Sequence, residues 1–539
     1  MTIDAPSLTP FELTDVPTIP AVLDTYARTL PDQVLVSTAD RDITAAEFQA
    51  LCGTLAAGFQ SLGLPRGSAV GVLLPNGWKW LASVFGLASA GMIAVPLNTW
   101  YKDAELSSAR TKAHLKAVIS QDTIHGRDNA ALLATAGLDR PQATTGYVGT
   151  IWWNRSSPLP TGFGGHAAPE STEPVTPTDL AMYVFTSGSS AAPKVVTLEH
   201  GNLMRNGDAM GRALDLTVGD RLWFPAPLFF GFGCTNAIMV SLTHGAAMCI
   251  EERFDPWTSA RFIEERRCTV FYGRAEMIRG FQSSGALAAH DLSSLKKGSI
   301  GLGAEDKRLA VEVLGLDRAC SVYGLTEVYG LATMTEADDP LETVMHTQGR
   351  ALPGRELRCV DVDSGAVNPG GDPEVLGEIQ LRGCVTPGYL DDDTANAAAF
   401  TADGWFRTGD LGWLDHDGRL HFAGRLKEII KVHGITVSPA EVEEFVLQHP
   451  AVEQAYAFGW PLDGTEVLSC GVVLDQPGSR AGLDVDLELR TWLKERISSY
   501  KVPARFAVLT EETLPRTGTG KVSKRLIGEK YFSAASTPA

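Results

Sequence analysis

The sequence lacks the cysteine pattern of a zinc site or a disulfide framework. Its eight cysteines include no C-x-x-C pair and form no tight cluster. Isolated cysteines of this kind are typical of buried, reduced thiols in an intracellular protein, so we expect a cytoplasmic location.

No targeting signal or long hydrophobic run is visible. The first residues have neither the basic stretch nor the apolar core of a signal peptide. The most apolar run, residues 80–95, is interrupted by serines and glycines and is short for a bilayer span. We therefore expect no membrane span, and we predict a buried helix that leads into a strand.

Basic residues are scarce relative to acidic ones. The chain has 46 Lys and Arg residues against 64 Asp and Glu residues, a formal charge of -18. This balance disfavours nucleic acid as a partner, and an anionic small molecule needs a pocket with its own local cations.

What the chain does have is length and apolar surface. Its 539 residues are 44% hydrophobic, which is enough for several packed domains. Helical periods alternate with β-branched runs through about four hundred residues, which predicts an α/β fold of layered sheets and helices. Thr44 and Glu47 have capping-box spacing before one such helix.

Near residue 425 the composition changes to short, charged elements. We predict helices over residues 441–448 and 486–498, a strand over 467–474, and a hairpin around the D-G turn at 417–418. The predicted domains are therefore a large N-terminal domain, 1–424, and a small mobile α+β domain, 425–539.

The first candidate site is a hydroxyl-rich turn after a buried strand. It contains Thr186, Ser187, Gly188, Ser189, Ser190 and, after Pro193, the cation Lys194. Hydroxyl and N–H donors with one lysine around a turn suit polyphosphate oxygens, although a polar surface loop fits equally well. The spacing is not that of a P-loop, and Gly301 and Gly303 do not complete a dinucleotide fingerprint.

Four further motifs follow this turn in order. They are S-V-Y-G-L-T-E at 321–327, G-W-F-R-T-G-D at 404–410, G-R-L-K-E at 424–428 and P-R-T-G-T-G-K at 515–521. Together the five motifs resemble those of the adenylate-forming superfamily, which includes acyl-CoA synthetases, peptide-synthetase adenylation domains and luciferases. The resemblance runs from about residue 21 to 531, and five ordered motifs are very specific.

The resemblance implies a role for each matching residue. Tyr323, followed by Gly324, would stack on adenine, Thr326 would donate to the α-phosphate, and Glu327 would hold Mg²⁺. Asp410 would bind the ribose with help from Arg425, and Lys521 would bridge the carboxylate and the α-phosphate as they react. Lys427 matches the family's hinge, and Gly434 leaves room for a pantetheine arm.

The resemblance also implies the reaction and its partners. A carboxylic acid and ATP give an acyl-adenylate and pyrophosphate, and coenzyme A then takes the acyl group while AMP leaves. A standalone enzyme that passes the acyl group to a carrier protein or another nucleophile stays open, as does a nucleotide-binding protein without catalysis. The sequence does not specify the oligomeric state, and a homodimer is one alternative.

Two departures from the family pattern affect these expectations. Ala191 and Val195 stand where relatives usually carry glycine, which restricts the backbone of the phosphate turn. Because the hydroxyls and Lys194 are present, we expect an active enzyme.

The expected acid pocket is aromatic. It comprises Phe229, Phe230, Phe232, Gly233, Arg274, Gly301 and Gly303. Phe230 replaces a histidine common in acyl-CoA ligases, as in benzoate-CoA ligases, and predicts a flat slot for an aryl or compact acid. The alternatives are core aromatics without ligand contact and, for Arg274, an ion pair with Glu276 in place of a recognition role.

Overall fold

The structure is a computed structural model, and the description covers most of the chain. The described residues are 17–164, 173–186, 193–301, 307–373, 375–426, 430–432, 435–437, 439–462, 465–475, 484–497, 499–516 and 522–533.

The chain forms two compact units. Unit 1 comprises Met1–Leu357 and Leu381–Phe406, and unit 2 comprises Arg358–Gln380 and Arg407–Ala539. Helices and strands alternate along unit 1, which confirms the predicted α/β class.

Unit 1 is built on two large sheets. Most strands pair in parallel, so their helical crossovers cover both faces and bury them. In spatial order, the nine-stranded sheet consists of Arg350–Ala351, Thr333–Met334, Arg318–Tyr323, Lys297–Ile300, Val270–Phe271, Arg221–Phe224, Ala247–Ile250, Val34–Ser37 and Asp42–Thr44, and the six-stranded sheet of Val195–Glu199, Leu180–Phe185, Ile93–Pro96, Ala69–Leu73, Ala117–Ser120 and Thr150–Trp152. A two-stranded ribbon joins Thr123–Ile124 to Arg127–Asp128.

The helices of unit 1 pack against these sheets. The α-helices are Ile19–Thr29, Ala45–Gln60, Trp78–Ser89, Asp103–Lys112, Asn129–Thr135, His200–Ala213, Ile238–His244, Pro256–Arg266, Ala275–Ser284, Ala286–Ala289, Leu341–His346 and Asp393–Ala399, with π-helical segments at Phe232–Ala237 and Leu309–Val313 and a 3₁₀ turn at Thr326–Val328.

Local sequence signals are confirmed. The Thr44 hydroxyl accepts from Glu47 N at 3.3 Å, and Thr44 N donates to the Glu47 carboxylate at 2.9 Å, which completes the capping box. The apolar run forms the buried helix Trp78–Ser89 followed by the strand Ile93–Pro96. Among the described residues, no helix is both long and apolar enough to cross a membrane.

Unit 2 contains shorter elements. The predicted hairpin is confirmed, with Trp413 opposite His421. A four-stranded sheet contains Arg355–Val360, Gly377–Gly383, Phe406–Leu414 and Leu420–Arg425, of which residues 355–357, 381–383 and 406 are assigned to unit 1. A strand pair contains Ile430–Val432 and Ile435–Val437, and a three-stranded sheet contains Val452–Leu462, Thr465–Leu474 and Arg505–Leu509. The helices are Pro439–Leu447, Val485–Lys494 and Lys524–Tyr531, with 3₁₀ turns at Ser499–Lys501 and Glu511–Thr513.

The division of the chain differs from the predicted boundary. Segments 358–380 and 407–424 belong to unit 2, whereas the prediction assigned them to the N-terminal domain. Strand pairing explains the difference, because Asp410 lies directly opposite Arg425 in one antiparallel hairpin. A mobile domain that starts at residue 425 therefore stays a prediction.

Two buried histidines predict how stability depends on pH. Burial lowers the pKa of both His200 and His244 from 6.5 to about 4. Below pH 6.5 the unfolded chain binds protons that the folded chain does not bind until about pH 4, so stability is complete above 6.5 and is lost as the pH falls towards 4. Each histidine accounts for about 2 kcal/mol of this loss at pH 5.

Urea unfolding at pH 7.5 and pH 5 measures this effect. We expect His200→Gln to reduce the difference in unfolding free energy between the two pH values by about 2 kcal/mol relative to the natural chain. An unchanged difference would contradict the assignment of a neutral His200.

Candidate active site

Both ends of the hydroxyl-rich turn are held by one hairpin. The strands Leu180–Phe185 and Val195–Glu199 pair antiparallel, with Phe185 opposite Val195. One residue further on, Thr186 N donates to Lys194 O at 3.0 Å. The pairing fixes Thr186 and Lys194 opposite each other, and residues 187–192 between them lie outside the described residues.

A buried tyrosine connects Lys194 to Thr326 and Glu327, the last two residues of the S-V-Y-G-L-T-E motif, here called the T-E motif. Lys194 Nζ lies 4.3 Å from the ring centroid of Tyr389, whose hydroxyl donates to Glu327 Oε1 at 2.9 Å. Burial, and then the Glu327 charge, raises the pKa of Tyr389. Tyr389 therefore remains protonated and acts as a donor, and a cation, a phenol and a carboxylate form one continuous group.

The residues on both sides of Tyr389 are hydrogen-bonded to the same hairpin and to the T-E motif. Thr386 N donates to the Glu327 carbonyl at 2.7 Å, and the Thr386 hydroxyl donates to Thr197 O at 2.7 Å. Leu390 N donates to Val195 O at 2.9 Å. These bonds fix Glu327 relative to Lys194 through the backbone as well as through Tyr389.

Thr326 lies beside Gly231, which belongs to the phenylalanine-rich segment 229–233, here called the aromatic segment. A Cβ added at Gly231 would stand 3.1 Å from Thr326 Oγ1, so the hydroxyl lies directly over that backbone. The following turn is tight, since a Cβ at Gly324 would stand 2.0 Å from Gly330 O. Tyr323 ends the preceding strand and is only 1% exposed. Its adenine-stacking role stays a prediction.

Glu327 fits the role of a magnesium ligand. Its side chain is half-buried and supplies carboxylate oxygen, the donor that Mg²⁺ prefers. Among the described residues, no group of three or more His, Cys, Asp and Glu side chains could hold a metal. A Mg²⁺ ion bound with a nucleotide usually takes its other ligands from phosphate oxygens and water.

The aromatic segment forms two groups. The Phe229 and Phe230 rings lie 4.6 Å apart, and Trp100 contacts both edge-on at 5.4 and 5.9 Å. Trp100 is 46% exposed, so this group is open on one side. Phe232 instead stacks on buried Tyr272 at 5.1 Å with the rings 14° from parallel.

The remaining pocket candidates have different surroundings. Gly233 packs on the chain, because a Cβ there would stand 2.7 Å from Leu228 Cα. Arg274 pairs with Glu276 at 3.0 Å, and both side chains are more than half exposed, so the predicted ion pair is present, while a role of Arg274 in recognising the acid stays a prediction. Gly301 directly follows the strand Lys297–Ile300, and Gly303 lies outside the described residues.

The ribose candidates lie together in unit 2. Asp410 and Arg425 face each other across the hairpin, with Arg425 Nε 3.6 Å from Asp410 Oδ1. Asp410 is 7% exposed, and its N–H donates to the Thr408 hydroxyl at 3.0 Å. Lys427, Gly434 and Lys521 lie outside the described residues, so their roles stay predictions.

The sequence did not indicate Tyr389 or Trp100. Tyr389 is 62 residues from its partner Glu327, and neither residue stands in a recognisable motif. Because both act through long-range packing, local spacing gives no signal for them. The P-G-Y run at 387–389 fixes only a turn.

Comparisons with known proteins agree with this arrangement. The AMP-binding enzyme family matches residues 23–390, and the AMP-binding enzyme C-terminal domain matches residues 441–521. The chain is 31% identical, over 96% of its length and 99% of the relative's, to a methyl-dioxo-octahydro-indenyl-propanoyl:CoA ligase of Mycobacterium tuberculosis. It is 27% identical, over 95% of its length and 87% of the relative's, to the mitochondrial medium-chain acyl-CoA ligase of Mus musculus.

A solved structure gives the same result for the fold. The crystal structure of ATP-bound MatB from Rhodopseudomonas palustris aligns with a TM-score of 0.81 at 26% identity, over 95% of this chain and 99% of that one. The chain therefore belongs to the AMP-binding enzyme family, and it is an AMP-forming acid–thiol ligase like the acyl-CoA ligases that it resembles.

Proposed function

We propose that this enzyme activates a compact, ring-containing carboxylic acid with ATP and transfers the acyl group to coenzyme A. The observation that carries the proposal is the group formed by Lys194, Tyr389 and Glu327. It brings the end of the phosphate turn next to the T-E motif, where the α-phosphate and the acid would react.

In the first half-reaction the chain positions two anions. Lys194 supplies a cation for the phosphates, and Thr326 supplies a hydroxyl donor beside Gly231. Tyr389 orients the Glu327 carboxylate by donating to one of its oxygens. Mg²⁺ held by Glu327 would neutralise phosphate charge and favour departure of pyrophosphate. Lys521 would neutralise the acid carboxylate as it attacks.

In the second half-reaction unit 2 would admit the pantetheine arm of coenzyme A, whose thiol attacks the activated carbonyl. Asp410 and Arg425 would bind the ribose, Lys427 would be the hinge, and Gly434 would admit the pantetheine arm. We assign coenzyme A as the acceptor, and a carrier-protein pantetheine is the alternative. The free cysteines, buried in the structure, fit a reducing cytoplasm.

The aromatic residues support a ring-containing acid. Trp100, Phe229 and Phe230 present edges and faces to one open region, which suits a flat ring better than a long flexible chain. The Mycobacterium tuberculosis relative is named for an acid with a fused ring system, which agrees with this choice, whereas the mouse relative is named for medium-chain acids.

One incubation tests the reaction. The protein, ATP and Mg²⁺ are combined with benzoate, cyclohexanecarboxylate and octanoate, with and without coenzyme A, and products are identified by mass. We expect acid-dependent pyrophosphate release and a ring-acid thioester. A thioester from octanoate alone would contradict the acid class, and an acyl-adenylate that persists with coenzyme A would favour the carrier-protein alternative. ATP consumption without an acid-dependent product would contradict the proposal.

A further inference from the structure

Three buried polar side chains beside the aromatic segment have unpaired atoms. Asn236 Oδ1, the Tyr272 hydroxyl and the Ser299 hydroxyl make no hydrogen bond of standard geometry to a described residue, and the Tyr272 and Ser299 hydroxyls face each other. Asn236 is 4% exposed, Ser299 1% and Tyr272 0%. Buried polar groups in proteins are nearly always paired, so three unpaired groups in one region require an explanation.

Strand register places two of these groups together. The strands Val270–Phe271 and Lys297–Ile300 run parallel, with Phe271 opposite Gly298. The next residues along, Tyr272 and Ser299, therefore project to the same face of the sheet. Phe232 stacks on the Tyr272 ring at 5.1 Å, so both hydroxyl residues lie beside the first residue of the π-helical segment Phe232–Ala237.

Asn236 connects this region to the T-E motif. It lies in the same π-helical segment as Phe232, and such segments are frequent at functional sites. A Cβ added at Gly330, in the turn that follows Thr326 and Glu327, would stand 1.7 Å from Asn236 Oδ1. At the other end of the segment, Gly231 lies under the Thr326 hydroxyl. The unpaired groups therefore lie next to the predicted reacting centre, in unit 1.

We propose that Asn236, Tyr272 and Ser299 recognise a hydroxyl or amino substituent on the ring of the acid. Such a substituent both donates and accepts: its N–H or O–H can donate to Asn236 Oδ1, and its lone pair can accept from the Tyr272 or Ser299 hydroxyl. A methyl or hydrogen in its place would leave Asn236 Oδ1 unpaired and the two hydroxyls without a ligand partner, which is how a polar pocket rejects an analogue. This inference rests on the proposed acid activation and refines its substrate.

The test compares acids with and without the substituent. Benzoate and cyclohexanecarboxylate are assayed beside their hydroxy, amino and methyl isomers by pyrophosphate release with ATP and Mg²⁺. We expect the natural enzyme to favour one hydroxy or amino isomer over the methyl isomer of the same position, by at least about tenfold in kcat/KM. Tyr272→Phe, Ser299→Ala and Asn236→Leu should each reduce that ratio about three- to tenfold.

The matched control is Ser241→Ala. Ser241 also carries a buried, unpaired hydroxyl, but in the next helix, Ile238–His244, away from these contacts. We expect it to leave the ratio unchanged, and thermal melting checks that each variant folds. An equal ratio in the natural enzyme and in the folded Tyr272→Phe and Ser299→Ala variants would overturn the inference while adenylation still occurs. Absence of pyrophosphate release with every acid would instead defeat the proposed function itself.

Discussion

Lys521→Ala is expected to lower acyl-adenylate formation about a hundred- to a thousandfold while coenzyme A transfer from a supplied acyl-adenylate falls less than about tenfold. The first step brings a carboxylate against a triphosphate, and a cation between them removes repulsion that positioning alone leaves. The second step starts from a mixed anhydride, whose carbonyl carries no net charge and needs no such cation.

Pyrophosphate release and thioester formation measure the two steps separately. The control is Lys530→Ala, which removes the same charge from an exposed position in the helix Lys524–Tyr531 and should alter neither rate. On either side of the lysine turn, Arg516 pairs antiparallel with Val522, and Ser523 N donates to Pro515 O at 2.8 Å. An equal fall in both rates would indicate that the substitution damages the fold of unit 2 instead of removing a catalytic cation.

The elements that the sequence predicted were those with a local signal. The capping box of Thr44 and Glu47 spans three residues, and the D-G hairpin turn spans two, so the information needed lies within one short segment. The extents of elements were less exact. The helix predicted over residues 486–498 is Val485–Lys494, and no glycine or proline in the sequence marks its end.

Contacts between residues far apart in the chain could not be predicted from the sequence. The motifs identified Glu327 and Lys194 separately, but the contact that joins them runs through Tyr389, which no motif singled out. Trp100 reaches Phe229 and Phe230 from a distant turn in the same way. Such contacts depend on how the sheet edge meets its neighbouring loops, which periodicity does not encode.

Glu327→Gln is expected to lower acyl-adenylate formation about a hundredfold and to raise the Mg²⁺ concentration that gives half-maximal rate. Glutamine keeps the size of the side chain and an oxygen that can accept from the Tyr389 hydroxyl. In the natural chain this hydroxyl lies 2.9 Å from Glu327 Oε1. The substitution therefore removes mainly the negative charge, on which the affinity for a hard divalent cation depends.

A Mg²⁺ titration of pyrophosphate release tests this prediction with two matched variants. Glu336→Gln removes the same charge from an exposed position in unit 1 and should leave the titration unchanged. Tyr389→Phe keeps the ring beside Lys194 but removes the hydroxyl that orients Glu327, so we expect a smaller loss of rate, about tenfold. If Glu327→Gln lowered the rate at every Mg²⁺ concentration by the same factor, the carboxylate would act by positioning Tyr389 and Lys194 and would not be a metal ligand.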